Sequence, residues 1–196
     1  MKQRNLLALL LLLVLVLPLT ACSSDDPELC SHYTYFSYDS EQEYRDAARS
    51  DPQQFGVTSD VDRAYYRLKV LPEGAEFSHI QVRQGRYVTT TYRIPYDEKG
   101  FGKPMPEDAY LAEQSTTIVL NHFFGDQELQ FEQQKNALQM SESVTHNGTE
   151  YFHHFRDDCA YDFGFFRDGF AVFAAIPAFA PVEELLPYLE IDIVLP

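Results

Sequence analysis

The sequence is poor in cations. Lys and Arg number 15 against 30 Asp and Glu, and the formal net charge is −15. A chain this acidic repels phosphate backbones and anionic lipid headgroups, so no nucleic-acid partner is expected, and attachment to a membrane by charge is disfavoured. Tryptophan is absent, which by itself excludes nothing, and there are only three cysteines. No Gly-x-Ser-x-Gly elbow, Ser-x-x-Lys, phosphate-cradling glycine loop, Cys-x-x-Cys, His-Glu-x-x-His or calcium-loop spacing occurs. No catalytic residue, metal ligand set or cofactor follows from the sequence, and the chain is not expected to be an enzyme. A long apolar run is also missing. The leading one, residues 6–17, falls short of the ~20 residues that span hydrocarbon, and nothing basic follows it to stop transfer.

What the first segment does have is an ordered set of signals. Lys2 and Arg4 precede the apolar run, and small residues Thr20 and Ala21 end it, which is the layout of an export signal. Leu19-Thr20-Ala21-Cys22 resembles the bacterial lipobox, in whose precursors the cysteine is diacylated and cleavage falls just before it. The resemblance implies a signal peptide over 1–21, lipid (palmitate or a similar acyl chain) on Cys22, and an extracytoplasmic lipoprotein of the cell envelope. Two or three acyl chains at ~0.8 kcal/mol per buried methylene hold a protein to a membrane stably. Loss of residues 1–21 removes two cations and takes the charge from −15 to −17. Residues 22–30 read as a lipidated tether, broken by Pro27, and 31–196 as a single domain.

With Cys22 assigned to lipid, Cys30 and Cys159 remain. Outside the cytoplasm an isolated pair favours a disulfide. It would close a loop of about 130 residues and stabilise by roughly 4–5 kcal/mol on the chain-entropy model.

Along the domain, Ser40 can cap a helix over 40–49, with Glu43 at the capping-box position and Tyr44, Ala47 and Ala48 on one face. Strands follow. Residues 64–71 alternate, with Ala64, Tyr66, Leu68 and Val70 on one side; Ile80 and Val82 share a face, as do Val88, Thr90, Tyr92 and Ile94. Residues 116–124 are apolar on both faces, as expected of a central strand. Asn147-Gly148 and Asp168-Gly169 are type I′ hairpin dipeptides. For the second hairpin the register is explicit: Arg167 opposes Phe170, Phe165 opposes Val172, Phe163 opposes Ala174 and Tyr161 opposes Ile176. Residues 181–196 read as a short helix distorted or ended by Pro187, with a last strand also possible and no defined junction. Residues 126–140 read as either a surface helix or a polar strand, and 95–115, rich in Pro and Gly, as a long loop.

The order of these pieces resembles a family of uncharacterised extracytoplasmic bacterial domains, common in clostridial lipoproteins and in membrane proteins resembling anti-sigma factors. The shared parts are Leu71-Pro72-Glu73-Gly74 after a strand, a strand about Tyr92, the 116–124 strand, the His146-Asn147-Gly148 turn, the Asp168-Gly169 hairpin and Glu183-Glu184-Leu185-Leu186. This chain carries Phe where that hairpin often has Trp. The resemblance implies an α+β fold, a twisted, mainly antiparallel sheet packed against one to three short helices, and brings no catalytic residues.

The side chains admit three kinds of chemistry. His153 and His154, with Asp157 and Asp158, invite a metal, but neighbours on a strand point to opposite faces, so His153 would need His122 or His146 from another strand. Carboxylate pairs such as Asp157 with Asp162 matter only if geometry perturbs them. The aromatics (Tyr33, Tyr35, Phe36, Tyr38, Phe123, Phe124, Phe152, Phe155) fit a sheet core, or a curved sheet around an apolar ligand. The expected function is therefore an accessory or sensing domain that binds a protein or envelope component. A lipid or small-ligand carrier is the alternative, and a hydrolase a more distant one.

Overall fold

The Asp168-Gly169 hairpin forms in the register its side chains demand. Asp168 and Gly169 take φ of 51° and 84°, and Arg167, Phe165, Phe163 and Tyr161 oppose Phe170, Val172, Ala174 and Ile176. The alternative register, one residue off, would turn this whole apolar set toward solvent. The computed structural model describes residues 34–94, 116–156, 160–177 and 180–196. Cys22, Cys30, Cys159, Tyr33, Asp157, Asp158 and the 95–115 segment lie outside them.

Around this hairpin stands an eight-stranded antiparallel sheet in the order β1-β3-β4-β5-β9-β8-β7-β6. Its strands are β1 (Tyr35–Tyr38), β3 (Glu76–Arg83), β4 (Tyr87–Ile94), β5 (Thr116–Phe123), β6 (Glu142–His146), β7 (Thr149–Arg156), β8 (Ala160–Arg167) and β9 (Phe170–Pro177). A second, two-stranded ribbon pairs β2 (Tyr65–Leu68) with β10 (Ile191–Val194). Among the described residues three α-helices, α1 (Glu41–Ser50), α2 (Gln127–Ala137) and α3 (Val182–Leu185), complete an α+β fold.

Alternation decides the two faces. On the first face, Ile118, Leu120 and His122 of β5 join Val172, Ala174 and Ile176 of β9 and Phe163 and Phe165 of β8, all buried. Tyr66, Leu68, Leu185, Leu186, Leu189 and Ile191 cover them. Each buried Val, Leu, Ile or Phe among them contributes about 1.5–3 kcal/mol by leaving water. Toward β1, the same face is capped by Tyr44 and Ala48 of α1 and by Phe55. Helix α1 starts as its sequence requires, with the Ser40 hydroxyl accepting from Glu43 N–H at 3.1 Å and Glu43 Oε2 accepting from Asp39 N–H at 3.0 Å.

The second face has less cover. Residues 127–137 resolve as helix, capped by Asp126, whose carboxylate accepts from Leu129 N–H at 3.0 Å. Phe131 is its one buried residue. Its ring meets Phe152, Phe166 and Phe173 at centroid distances of 5.8, 4.5 and 5.8 Å. Beneath it Gly164 is required for space: a Cβ there would sit 2.9 Å from Met140 Sδ and 3.1 Å from Phe173 Cε1.

One expectation changes in detail. The alternating run at 64–71 yields a strand of only four residues, with Tyr65 and Tyr66 both buried and Val70 exposed. A ribbon strand packed from both sides has no solvent face at that point: Tyr65 stacks edge-on against Tyr44 at 5.2 Å and donates to Glu41 Oε2 at 2.6 Å. At the C-terminal end the expected short helix is α3, and its α-helical part ends at Leu185, just ahead of Pro187. The proline stands in the first turn of a 3-10 helix, Leu186–Leu189, where its missing N–H has no partner to lose, and β10 follows after Glu190.

Candidate functional site

His122 is the most deeply placed polar group on the first face, fully buried at the end of β5. The strand's alternation sends it inward behind Leu120, and three elements meet around it. Its Nε2 lies 2.8 Å from the Val61 carbonyl oxygen. Its Nδ1 lies 2.8 Å from Tyr66 Oη, which is also 2.9 Å from the Ala171 carbonyl oxygen of β9. The rings of Tyr66, Phe170 and Phe124 surround it at 5.3, 5.7 and 6.2 Å.

The loop that supplies Val61 is itself held. Arg63, 7% exposed, donates to the Ala48 carbonyl at the C-terminal end of α1 and pairs with Asp60, where the helix dipole favours a cation. The Arg63 carbonyl accepts from Tyr44 Oη at 2.7 Å. Asp62 Oδ1 accepts from Gly125 N–H at 2.7 Å. Burial pushes His122 down from 6.5 to about 4, opposed by the Val61 carbonyl and the nearby Asp62, and burial pushes the Tyr66 phenol well above its usual range. At neutral pH both are uncharged. With both ring nitrogens engaged by interior groups, His122 is a core-locking residue rather than a base presented to a substrate.

Among the described residues the histidines do not come together, and Asp157 and Asp158 lie outside them. His153 and His154 fall on opposite faces of β7, with His153 opposite Phe163 and His154 opposite Asp162. His122 and His153 share the first face, but β9 and β8 stand between their strands, a separation of three strand spacings or ~14 Å. Among the described residues no group of three or more His, Cys, Asp or Glu could hold a metal ion. Asp162 instead accepts from Arg156 at 3.5 Å. Phe124 enters the core and Phe123 and Phe152 pack at the second-face cluster, while Phe155 stays half exposed.

A surface that sequence reasoning did not find lies on the second face, beyond α2. Register aligns Tyr35, Arg83, Tyr87 and Phe123 in one row across β1, β3, β4 and β5. The Arg83 guanidinium lies over both tyrosine rings, at 5.7 Å from Tyr35 and 5.8 Å from Tyr87. Tyr87 meets Phe123 edge-on at 5.6 Å. The next row is polar: Ser37, Gln81, Thr89 and Asn121, with Thr89 Oγ1 donating to Asn121 Oδ1 at 2.7 Å. None of these eight residues is acidic. Only the Arg83–Tyr87 step, across the Gly85 turn, is local enough to be seen in the sequence.

Comparison with protein-family models, with curated proteins and with solved structures gives no match. Among the described residues no helix is long and apolar enough to cross a membrane.

Proposed function

We propose that the chain is a lipid-anchored extracytoplasmic binding domain, without catalysis of its own, that engages a cell-envelope component through the second face of its sheet. The observation that carries this reading is the unequal cover of the two faces. The first face lies under α1, the β2–β10 ribbon and the C-terminal helical turns. The second is covered at β8 and β9 by α2, and the described residues lay no helix over β1, β3 and β4. There it presents aromatic, amide and hydroxyl groups together, the composition of a recognition surface. The placement of His122, with no ring nitrogen left for a substrate, supports binding over chemistry. The resemblance of Leu19–Cys22 to a lipobox, behind an apolar run with Lys2 and Arg4 ahead of it, supports the envelope location.

Two measurements test the reading. Labelled palmitate should enter the full chain and not a Cys22→Ser variant; equal labelling removes the anchor. A photo-crosslinking residue at Gln81 should give a defined adduct in intact cells, and one at Glu183, exposed on α3 over the other face, should not. Equal labelling from both positions, or none from Gln81, overturns the binding surface.

A further inference from the structure

We infer that β6, the outermost strand of the sheet, pairs with β6 of a second copy of this chain, joining two sheets edge to edge about a two-fold axis at Val144. The pairing is independent of what the second face binds and uses a different part of the molecule.

The edge is open. Strand β6 (Glu142–His146) ends the sheet, and among the described residues β7 is its only strand partner. Sheet edges are commonly guarded by lysine, proline or a bulge. Strand β6 contains neither lysine nor proline, and its register against β7 runs without a shift. The Asn147-Gly148 turn, with φ of 49° and 78°, closes on the pair His146 and Thr149, so the His146 carbonyl is aimed at β7. Alternation along an antiparallel strand aims the backbone of Val144 and Glu142 the same way. The N–H and C=O groups of Ser143 and Thr145 therefore point outward, and among the described residues no turn or loop backbone group meets them.

The edge is also complementary to itself. A two-fold axis at Val144 sets Ser143 of each copy opposite Thr145 of the other, and each such pair exchanges both N–H···O bonds. Moving the axis by one residue leaves either Glu142 and Ser143 or Thr145 and His146 without a strand residue opposite. The same axis sets Glu142 opposite His146 on the first-face side, once at each end. His146 Nε2 lies 3.1 Å from Asn147 Nδ2, and an accepting Nε2 leaves the ring proton on Nδ1, a donor for the opposed carboxylate. Glu142 is exposed, with Oε2 3.8 Å from His153 Nδ1, beyond hydrogen-bond length. Between these pairs Val144 packs, partly buried, at the rim of the first-face core. Opposite its own copy, its Cα atoms stand about 4.5 Å apart, and the two side chains carry that core across the axis. Any extended peptide could use the outward backbone groups; the Glu142–His146 match is what selects a second copy. The −15 on each chain opposes approach, but salt at about 0.15 M screens charges beyond about 8 Å, and strand pairing acts inside that distance.

The test uses the full chain in intact cells with a mild oxidant. Val144→Cys places two thiols within the roughly 4.4–6.8 Å Cα separation that a disulfide accepts, so a covalent dimer is expected on non-reducing electrophoresis. Ser143→Cys faces its own copy with Cα atoms roughly 8 Å apart and should give about tenfold less. The parent, with its three native cysteines, sets the background. Thr145→Pro removes an outward N–H that pairing with β7 does not use, and should bring the Val144→Cys adduct down to that background. Sedimentation equilibrium of the full chain in detergent, without added cysteine, reads the charge match. His146→Glu should weaken self-association about tenfold or more, and Glu142→Lys added to it should restore the affinity to within about threefold of the parent. No adduct above background, equal adducts from Val144→Cys and Ser143→Cys, an adduct that survives Thr145→Pro, or no rescue by Glu142→Lys overturns the inference. If Thr145→Pro does not fold, the charge exchange decides alone.

Discussion

Tyr66 Oη lies 2.8 Å from His122 Nδ1 and 2.9 Å from the Ala171 carbonyl, while His122 Nε2 faces the Val61 carbonyl at 2.8 Å. Three contacts thus call for three protons. A neutral imidazole has one and a phenol has one. With the proton on Nε2, Tyr66 donates to Nδ1 and its oxygen faces the Ala171 oxygen bare. With the proton on Nδ1, Tyr66 donates to Ala171 and Nε2 faces the Val61 oxygen bare. Only the imidazolium satisfies all three. Burial opposes that cation more strongly than the carbonyls favour it, and the balance holds His122 at about 4.

The first prediction follows from the sign of that shift. Above pH 6.5 His122 is neutral folded or unfolded and contributes no pH dependence. Between 6.5 and about 4 the unfolded chain binds the proton first, so stability falls as pH falls, by up to ~3 kcal/mol. A His122→Gln variant should lose this component. Urea midpoints measured for both proteins from pH 7 to pH 4 check it, and parallel curves would reject the assignment.

Removing the phenol oxygen is the second test. Tyr66→Phe leaves the ring packing intact but removes the hydroxyl that faces both Nδ1 and the Ala171 carbonyl. An unpaired buried group costs about 1–3 kcal/mol. Chemical denaturation should show a loss in that range. In the variant, the ring proton should reside on Nε2 alone, facing Val61, which nitrogen chemical shifts report directly.

How much of this was legible beforehand depends on the sequence distance of each contact. The Asp168-Gly169 hairpin is local, and its turn dipeptide and alternating side chains define its register. Tyr66 and His122 stand 56 positions apart, and nothing in either neighbourhood announces the other. The Tyr35–Arg83 and Tyr87–Phe123 steps have the same character, because they depend on which strands become neighbours. Helix α2 was ambiguous for another reason. It buries Phe131 and little else, so it has no apolar stripe to read. The second strand misled through its length: a ribbon of four-residue strands held by tyrosine hydroxyls does not need strict alternation.

A third prediction concerns Gly164. Its neighbours Phe163 and Phe165 point to the first face, so position 164 faces Met140 and Phe173 on the second. A methyl group added there meets both inside normal contact distance, and overpacking of this kind costs about 1–3 kcal/mol. Gly164→Ala should be destabilised accordingly. Combined with Met140→Ala, the loss should be smaller than the two single losses added together, since the clash disappears with the sulfur. Strict additivity in the double-mutant cycle would show that the crowding is not at Met140.

The last prediction concerns the two thiols left once Cys22 carries lipid. Cys30 and Cys159 lie outside the described residues, so the argument for their pairing is chemical. An exported chain passes through an oxidising environment, and two remaining thiols there favour one bridge. A link closing about 130 residues restricts the unfolded chain strongly, by roughly 4–5 kcal/mol. Non-reducing electrophoresis of the mature protein should therefore show faster migration than the reduced form, and Cys159→Ser should migrate as reduced in both conditions. Thermal unfolding with and without reductant gives the second readout: the parent should lose stability and Cys159→Ser should not. Identical mobility and identical melting of the parent in the two conditions would mean that both cysteines are free. The fold of the described residues would then stand without a cross-link, which makes the acid sensitivity predicted for His122 a larger share of its stability.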